Sequence, residues 1–221
     1  MTTFLFAEER FPGCDPRPPE SPPGSIVPLA SLDDVPLVPE SEWVDQESLR
    51  PYETWERDID QGRTTACTLA SLSHAIQFSL ARDGKPCPDI DWYTAWVDMT
   101  GGRGGANLAA ACRYAMDEGM RYLDTNGKPA GRIRITEAWD CDSLAGLASA
   151  LLRGAICTYG HDMHAECATR LVKKSGVWHL DTRNSWNRSW GDNGWHLFPL
   201  KQVEIDRYGA IIVREMEWLS L

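Results

Sequence analysis

Cys67 is a cysteine at the start of a predicted helix, where a thiol can act as a nucleophile. It opens a stretch in which Leu69, Leu72 and Ile76 recur at helical spacing, and the loop DIDQGRTTA precedes it. A thiol attacks a carbonyl well only as the thiolate, and a helix N-terminus or an adjacent imidazolium lowers its pKa. Cys67 is therefore a candidate nucleophile, although a cysteine taken alone is most often a buried helix residue.

Two sequence motifs give this cysteine a context. QGRTTAC resembles the stretch of the papain family in which Gln and Gly precede the nucleophilic Cys, with Gln61 six positions ahead of Cys67. RNSWNRSWGDNGW is similar to the papain-family segment that supplies the asparagine of the catalytic triad, and Asn184, Ser185 and Trp186 match its Asn-Ser-Trp. Without the resemblance, this second segment would be interpreted as a turn region with core tryptophans.

The resemblance implies four catalytic residues. Cys67 is the expected nucleophile, and Gln61 is expected to donate to the oxyanion together with the backbone N–H of Cys67. Asn184 is expected to accept from the far nitrogen of the catalytic imidazole and fix its direction, with Trp186 shielding that hydrogen bond. His164 stands where the family has a His-Ala pair at the start of a strand, so it is the expected general base.

The segment CTYGHDMHAEC leaves two alternatives open. His161 lies three residues before His164 and would become the base under a shifted alignment. The segment also presents four side chains of types that bind zinc, Cys157, His161, His164 and Cys167. A strand alternates its faces, and the spacing is not a familiar zinc pattern, so we do not expect a zinc site here. The peptidase chemistry that the resemblance implies needs no metal and no organic cofactor.

Substrate-binding residues are also implied by the resemblance. TGGRGGAN resembles the family's Cys-Asn-Gly-Gly segment, whose glycines bind an extended peptide through backbone hydrogen bonds. Gly104 and Gly105 are therefore candidates for one wall of a cleft, and Met163 and Ala165 for a specificity pocket. Trp186, beside the expected imidazole, completes this set.

The chain departs from the family pattern in several places. Thr68 stands where the family usually has Trp directly after the nucleophile. His164 and Asn184 follow Cys67 by 97 and 117 positions, fewer than the roughly 130 to 150 usual in papain and cathepsins. The chain is therefore expected to be a divergent, shortened relative whose cleft is more open, and its N-terminal segment is too short for the usual helical propeptide.

The elements that must position these residues follow from periodicity and turn signals. Helices are predicted over residues 67–80, 106–118 and 143–153, with Thr64 or Thr65 capping the first and glycines closing the other two. Short strands are predicted over 155–159, 166–172, 177–182, 195–198 and 209–213. This pattern, with the resemblance, predicts an α+β papain-like fold: a helical half, an antiparallel β-barrel-like half, and the active-site cleft between them.

The domain prediction separates an N-terminal arm from one peptidase domain. Residues 1–38 are rich in proline and cannot hold a helix or a central strand. The arm fits three roles that composition does not distinguish: a flexible tail, a strap on the body, or a docking or inhibitory segment with its own partner. Residues 39–221 form the expected peptidase domain, helical over about 60–125 and β over about 126–221.

Composition excludes several classes of partner. The net charge of −10, from 22 basic and 32 acidic residues, would repel nucleic acid. No apolar run approaches the roughly 18 residues of a membrane span, and MTTFLFAEER lacks the long apolar core of a signal peptide. The seven cysteines form an odd set without regular spacing, so we expect a reducing environment, either the cytoplasm or a larger particle.

These expectations converge on a thiol protease with a protein or peptide as its substrate. The predicted activity is that of a cysteine-type endopeptidase, a hydrolase that cleaves peptide bonds through an acyl-enzyme thioester. Two rivals stay open. One is a catalytically weak or inactive papain-fold module that binds or builds a larger assembly; the other is a cell-wall amidase or transpeptidase, which also uses a helix-borne Cys and a strand-borne His.

Overall fold

The computed structural model describes residues 13–18, 36–50 and 59–220. Five α-helices and eight β-strands lie in these parts of the chain. The helices are α1 (Cys67–Arg82), α2 (Trp92–Thr100), α3 (Leu108–Asp117), α4 (Leu144–Leu152) and α5 (Ile205–Tyr208). The strands are β1 (Asp89–Ile90), β2 (Met120–Leu123), β3 (Pro129–Asp140), β4 (Ile156–His161), β5 (His164–Lys174), β6 (Val177–Arg183), β7 (Trp195–Pro199) and β8 (Ala210–Leu219).

The described strands form one antiparallel sheet in the order β1-β2-β3-β8-β4-β5-β6-β7. β4 and β5 are joined by a tight hairpin in which His161 is paired with His164. Both turn residues, Asp162 and Met163, have positive φ, 40° and 59°, as a two-residue turn between twisted strands requires. β5 then pairs with β6, whose last residue, Arg183, leads directly into the Asn-Ser-Trp segment.

Both faces of the sheet are covered by hydrophobic cores. One core contains residues of α1 and α3, and the other contains residues of α4. Neighbouring residues of β8 show the division: Ile211 belongs to the first core and Ile212 to the second. Successive side chains of a strand point to opposite faces, so the central strands are apolar on both sides.

Helix α1 is the central element of the first core. The helical spacing of Leu69, Leu72 and Ile76, with polar residues between them, predicts one buried and one polar face for this helix. That prediction is wrong, because residues 67–80 are buried on every face. α1 packs against β4 and β5 and also against α2 and α3. Its polar side chains therefore form hydrogen bonds with other groups of the protein: Ser71 Oγ lies 2.5 Å from Thr158 Oγ1, and Gln77 Nε2 donates to the carbonyl of Pro88 at 2.9 Å.

The predicted α+β class with antiparallel strands is confirmed. The three predicted helices correspond to α1, α3 and α4, and the five predicted strands to β4 through β8. Helix α2 and strands β1 to β3 were not predicted, so strands also occur among the helical segments. The signal for β3 is its alternation, in which Ile133 and Ile135 are buried while Arg132 and Arg134 are half-buried.

Only part of the predicted arm is described. Residues 1–12 and 19–35, including the MTTFLFAEER segment, lie outside the described residues, so the arm boundary at residue 38 stays a prediction. Residues 13–18 are described, and they lie on the protein body. Among the helices of the described ranges, none combines the length and apolar character needed to cross a membrane.

Candidate active site

Cys67 is the first residue of α1, and its side chain is fully buried. Hydrogen bonds from the backbone of Ala165 and Gly13 and from Thr68 favour its thiolate. Burial raises the pKa of the Cys67 thiol to about 11, although these hydrogen bonds lower it part of the way back. The thiol is therefore protonated at neutral pH in this arrangement.

The N-terminus of α1 has no side-chain cap. Ala66 occupies the capping position, so the predicted cap by Thr64 or Thr65 is wrong. The two hydroxyls serve the surrounding loops instead: Thr64 donates to the carbonyl of Gln61 at 2.7 Å, and Thr65 donates to the carbonyl of Gly104. Because no side-chain oxygen covers the first amides of the helix, its positive end is directed at the nucleophile.

His164 stands at the start of β5 and is fixed by two neighbours. Its Nε2 lies 3.1 Å from Oδ1 of Asn184, and the Trp186 ring stacks on the imidazole with centroids 4.5 Å apart. Nδ1 of His164 has no hydrogen-bond partner among the described residues. Burial lowers the pKa of His164 to about 4, against an opposing effect of the Glu166 charge, so the ring is neutral here. The free Nδ1 is then the basic nitrogen, provided that Nε2 carries the proton.

Gln61 and Ser185 connect the two sequence motifs. The Ser185 hydroxyl donates to the side-chain Oε1 of Gln61 at 2.5 Å, and the backbone N–H of Gln61 donates to the Ser185 carbonyl at 2.9 Å. Nε2 of Gln61 donates to the carbonyl of Thr64 at 3.0 Å. The orientation of the Gln61 side chain is thus set at both ends of its amide, within the loop that leads to the nucleophile.

His161 contacts Glu166 and the ring of His164. Its Nε2 lies 3.4 Å from Oε2 of Glu166, and its ring meets that of His164 edge-on at 5.8 Å. Of the two histidines, His164 is the one that contacts Asn184, and it precedes Ala165, whose backbone lowers the pKa of Cys67. The structure therefore pairs with Asn184 the histidine that the motif order favours.

The four side chains of the zinc alternative do not converge. Cys157 belongs to the core around α4, whereas Cys167 belongs to the core around α1, on the opposite face of the sheet. Their strands pair antiparallel, so His161 and His164 lie together at the hairpin while the cysteines diverge. Within the described ranges, no group of three or more His, Cys, Asp or Glu side chains is arranged to hold a metal ion.

Residues 13–15 of the N-terminal arm lie in the cleft above the nucleophile. The amides of Gly13 and Cys14 donate to the carbonyl of Met163 at 3.0 and 2.9 Å. On the other side, Ala106 donates to the carbonyl of Gly13 at 3.0 Å and accepts from the amide of Asp15 at 3.2 Å. The arm is therefore held in the cleft as an extended strand between two walls.

The fit of the arm is close. A Cβ atom added to Gly13 would lie 1.9 Å from the carbonyl oxygen of Thr65, and one added to Gly105 would lie 2.3 Å from the carbonyl oxygen of Gly13. Real Cβ atoms do not approach backbone oxygens this closely. Glycine is thus required at both positions for the arm to sit where it does.

A buried ion pair anchors the arm beyond the cleft. Nη1 and Nη2 of Arg17 donate to the carboxylate of Asp140 at 2.5 and 2.6 Å, and both side chains are buried, with 3% and 0% of their areas exposed. The amide of Arg17 also donates to the carbonyl of Arg207 at 2.7 Å. Bidentate pairs of this kind fix geometry strongly, so the arm segment is attached at Arg17 as well as at Gly13 and Cys14.

Two of the predicted substrate-binding residues contact this arm segment. Met163 contributes its carbonyl and Gly105 allows the close approach. The backbone of Ala165 instead lowers the pKa of the Cys67 thiol, and Trp186 stacks on His164. Gly104 accepts from Trp96 Nε1 at 3.1 Å. Sequence reasoning missed Ala106, which makes the backbone hydrogen bonds of this wall. The only feature of the sequence that pointed to Ala106 was its position directly after Gly104 and Gly105.

The protein resembles known proteins in its fold more clearly than in its sequence. No protein-family model matches the sequence, and no curated protein matches it significantly. Among solved structures, the proform of the Amb a 11 cysteine protease of ragweed pollen has a TM-score of 0.66 at 16% identity. Procathepsin B S9 from Trypanosoma congolense has a TM-score of 0.62 at 15% identity. The protein has the papain-like cysteine protease fold.

A third solved structure with this papain-like fold is xylellain, a cysteine protease from Xylella fastidiosa, with a TM-score of 0.59 at 16% identity. The superposition covers 95% of this chain and 99% of xylellain. For procathepsin B S9 the shares are 89% and 82%, and for the ragweed proform 88% and 65%. The chain thus spans less than two thirds of the ragweed proform. At these identities the likeness concerns the fold.

Thr68 departs from the papain-like sequence pattern, and it has a structural role in this protein. Its hydroxyl donates to the carbonyl of Ala106 at 2.8 Å, the same carbonyl that accepts from Asp15 of the arm. A tryptophan has no acceptor-directed hydroxyl to supply this contact. The position after the nucleophile therefore braces the cleft wall by a hydrogen bond.

Proposed function

We propose that the protein is a cysteine-type endopeptidase that hydrolyses peptide bonds through an acyl-enzyme thioester at Cys67. One observation carries the proposal: the backbone of Ala165 lowers the pKa of the Cys67 thiol, while the adjacent His164 contacts Asn184 and keeps Nδ1 unpaired. The residue next to the expected base thus acts on the thiol, and the expected orienting amide contacts that base. The papain-like fold supports the same assignment.

The reaction begins with attack of Cys67 Sγ on the carbonyl carbon as Nδ1 of His164 takes the thiol proton. The backbone N–H of Cys67 and the second N–H of Gln61 Nε2 stabilise the oxyanion. His164 returns the proton to the departing amine, which leaves a thioester on Cys67. Water, deprotonated by His164, then attacks the thioester, and the thiol is restored when the carboxylic acid departs. Asn184 orients the imidazole throughout.

The arm supports an endopeptidase rather than an enzyme restricted to chain ends. Residues 13–18 are an internal segment, so the cleft accommodates a chain that continues in both directions. The carbonyl of Met163 and both backbone groups of Ala106 bind this segment, and the same groups are free to bind an extended substrate once the arm leaves. We assign the arm-covered arrangement to a latent form of the peptidase, because the thiol is buried and protonated in it.

Cleavage of an unfolded protein tests the proposed function. The full chain and a Gly13→Ala variant, in which the arm no longer fits, are incubated with a denatured fluorescent protein substrate. New internal cleavage sites, abolished by Cys67→Ala in the same background, are expected. Release of dye from labelled peptidoglycan without any protein cleavage would instead indicate the amidase alternative.

A closed papain-fold module is the second candidate, and the arm itself favours it. The buried pair of Arg17 and Asp140 ties the arm down, and the raised pKa of Cys67, caused first by its burial, keeps the thiol unreactive. A module of this kind would bind a partner without opening its cleft. Absence of cleavage in both the full chain and the Gly13→Ala variant, with Cys67 inert to alkylation in both, would favour the module over the peptidase.

A further inference from the structure

Glu166 is a buried carboxylate that has no part in the mechanism above. It lies on β5 two residues after His164, and 1% of its side-chain area is exposed. Oε1 accepts from Nδ2 of Asn184 at 2.5 Å, whereas Oε2 accepts from the Tyr159 hydroxyl at 2.9 Å and lies 2.8 Å from Nε2 of His196. Burying a carboxylate is strongly unfavourable without such partners, so these three contacts hold it in place.

The contact with Asn184 decides which way its amide faces. The two ends of an asparagine amide have the same shape but opposite hydrogen-bonding character. With Nδ2 donating to Glu166, Oδ1 is presented to Nε2 of His164. The reversed amide would set Oδ1 against the carboxylate, where two acceptors repel. The orientation that leaves Nδ1 of His164 as the base is therefore imposed from behind by Glu166.

The charge of Glu166 acts on the same imidazole. Oε1 lies 3.7 Å from Nε2 of His164. Burial raises the pKa of Glu166, but the facing histidines and their hydrogen bonds lower it by more. The pKa therefore lies well below its ordinary value, and the carboxylate is ionised at neutral pH. An anion at this distance favours the protonated form of an imidazole, which is the form that accompanies a thiolate.

We propose that Glu166 is a positioning residue for the active site: its carboxylate fixes the Asn184 amide and stabilises the imidazolium of His164 beside the Cys67 thiolate. The proposal rests on the proposed peptidase function and deepens it by adding a fourth residue behind the Cys-His-Asn set. Glu166 touches neither substrate nor the reacting atoms, so it acts through Asn184 and His164.

Four titratable groups face Glu166. Tyr159 and His161 face it from β4, His164 from its own strand, and His196 from β7. Protonated His161 or His196 would offset the carboxylate charge, and both lower the pKa of His164 in this cluster.

The test measures alkylation of Cys67 by iodoacetamide as a function of pH, in the Gly13→Ala background that exposes the thiol. Glu166→Gln keeps the size of the side chain and an acceptor for Asn184, and it removes the charge. A neighbouring opposite charge shifts a pKa by about one to three units, so Glu166→Gln should slow alkylation near about pH 6 by roughly tenfold or more. Near about pH 10, where the thiolate forms without an imidazolium, the rates should coincide. Glu166→Asp, which retains the charge, should recover part of the loss.

Glu204 provides a matched control, since its partly exposed carboxylate accepts from the amide of Asp162 in the β4–β5 turn at 2.7 Å. Glu204→Gln removes a carboxylate beside the same hairpin and should leave the pH profile unchanged. Equal alkylation in Glu166→Gln and its parent across the whole pH range would overturn the proposal.

If Glu166→Gln does not fold, ¹⁵N NMR of the histidine-labelled full chain decides the question. The proposal requires the tautomer of His164 with the proton on Nε2, and a proton on Nδ1 would overturn it. Alkylation needs no substrate, so the two hypotheses fail separately. A Glu166-dependent pH profile in a chain that cleaves no peptide would contradict only the peptidase function, whereas peptide cleavage with an unaltered profile would contradict only the role of Glu166.

Discussion

The Ser185 hydroxyl donates to Oε1 of Gln61 across a sequence separation of 124 residues. The same two residues are joined by a backbone hydrogen bond of 2.9 Å from Gln61 to Ser185. Ser185 follows Asn184 directly, and Gln61 belongs to the loop before Cys67. The contact therefore locks the loop that carries the expected oxyanion donor to the segment that orients the expected base.

Ser185→Ala should reduce turnover more than it reduces stability. Loss of the hydroxyl leaves Gln61 Oε1 without its donor, so the amide can rotate and Nε2 is no longer aimed reliably at the oxyanion. We expect the kcat of the arm-displaced enzyme to fall by about tenfold and the free energy of unfolding by about 1 kcal/mol. Peptide hydrolysis and urea unfolding measure the two effects. Ser189→Ala, at an exposed position, is the control, and equal kcat values for the two variants would contradict this role.

Gly13→Ala should open the cleft. The added methyl group would lie 1.9 Å from the backbone oxygen of Thr65, and backbone cannot yield to it cheaply. A displacement free energy of about 1.4 kcal/mol already corresponds to a tenfold change in population, so Cys67 should react with a small thiol reagent at least about tenfold faster. Pro16→Ala, at an exposed position of the same segment, should react like the parent. Unchanged reactivity of Gly13→Ala would show that the arm does not protect the thiol.

Arg17→Met should both destabilise the protein and loosen the arm. It leaves the carboxylate of Asp140 buried without its bidentate partner, a change that typically costs about 3 to 5 kcal/mol. Adding Asp140→Leu removes the buried charge, so the double variant should recover much of the stability while the arm stays loose. Thermal unfolding and alkylation of Cys67 follow the two effects separately. A double variant as unstable as the single one would argue against the ion pair as the cause.

Acid should destabilise the fold through His164. Its pKa is lowered, by burial first, from an ordinary value of 6.5 to about 4, so the unfolded chain binds the proton more readily than the folded one. The contribution is present above pH 6.5 and is lost as the pH falls toward 4. We expect a loss of about 2 kcal/mol between about pH 7 and pH 5 from this residue.

Chemical denaturation across that pH range checks this expectation. His74, also buried with a lowered pKa, contributes in the same direction, so the slope does not vanish in a His164 variant. His164→Gln should nevertheless make the free energy of unfolding less dependent on pH than it is in the parent. An identical slope in both proteins would mean that His164 is not buried in neutral form.

The motifs predicted which distant residues meet, because each motif is local in sequence. Gln61 and Cys67 lie in one loop and helix start, and Asn184 with Ser185 in one segment after β6. Their types and order were enough to expect the pairing of His164 with Asn184, which the structure contains. Their catalytic roles stay predictions until activity is measured.

Two contacts had no readable signal in the sequence. Glu166 follows Ala165 in a strand, where a charged residue ordinarily indicates the solvated face; it is buried because helices cover both faces of the sheet. Gly13 lies in a proline-rich stretch that composition assigns only to irregular structure. That it enters the cleft depends on the space left by Gly105, and such complementarity between distant backbones does not appear in a local pattern.

Labelling with an epoxysuccinyl thiol-protease probe shows whether Cys67 is an activated nucleophile. The Gly13→Ala variant is labelled and then analysed by intact-mass and peptide mass spectrometry. The chain has seven cysteines, and we expect one added probe, located on Cys67, at mildly acidic pH where ordinary thiols are inert. His164→Gln should abolish that labelling without unfolding the protein. Probe distributed over several cysteines, or labelling of Cys67 that does not depend on His164, would contradict the assignment of Cys67 as an activated nucleophile.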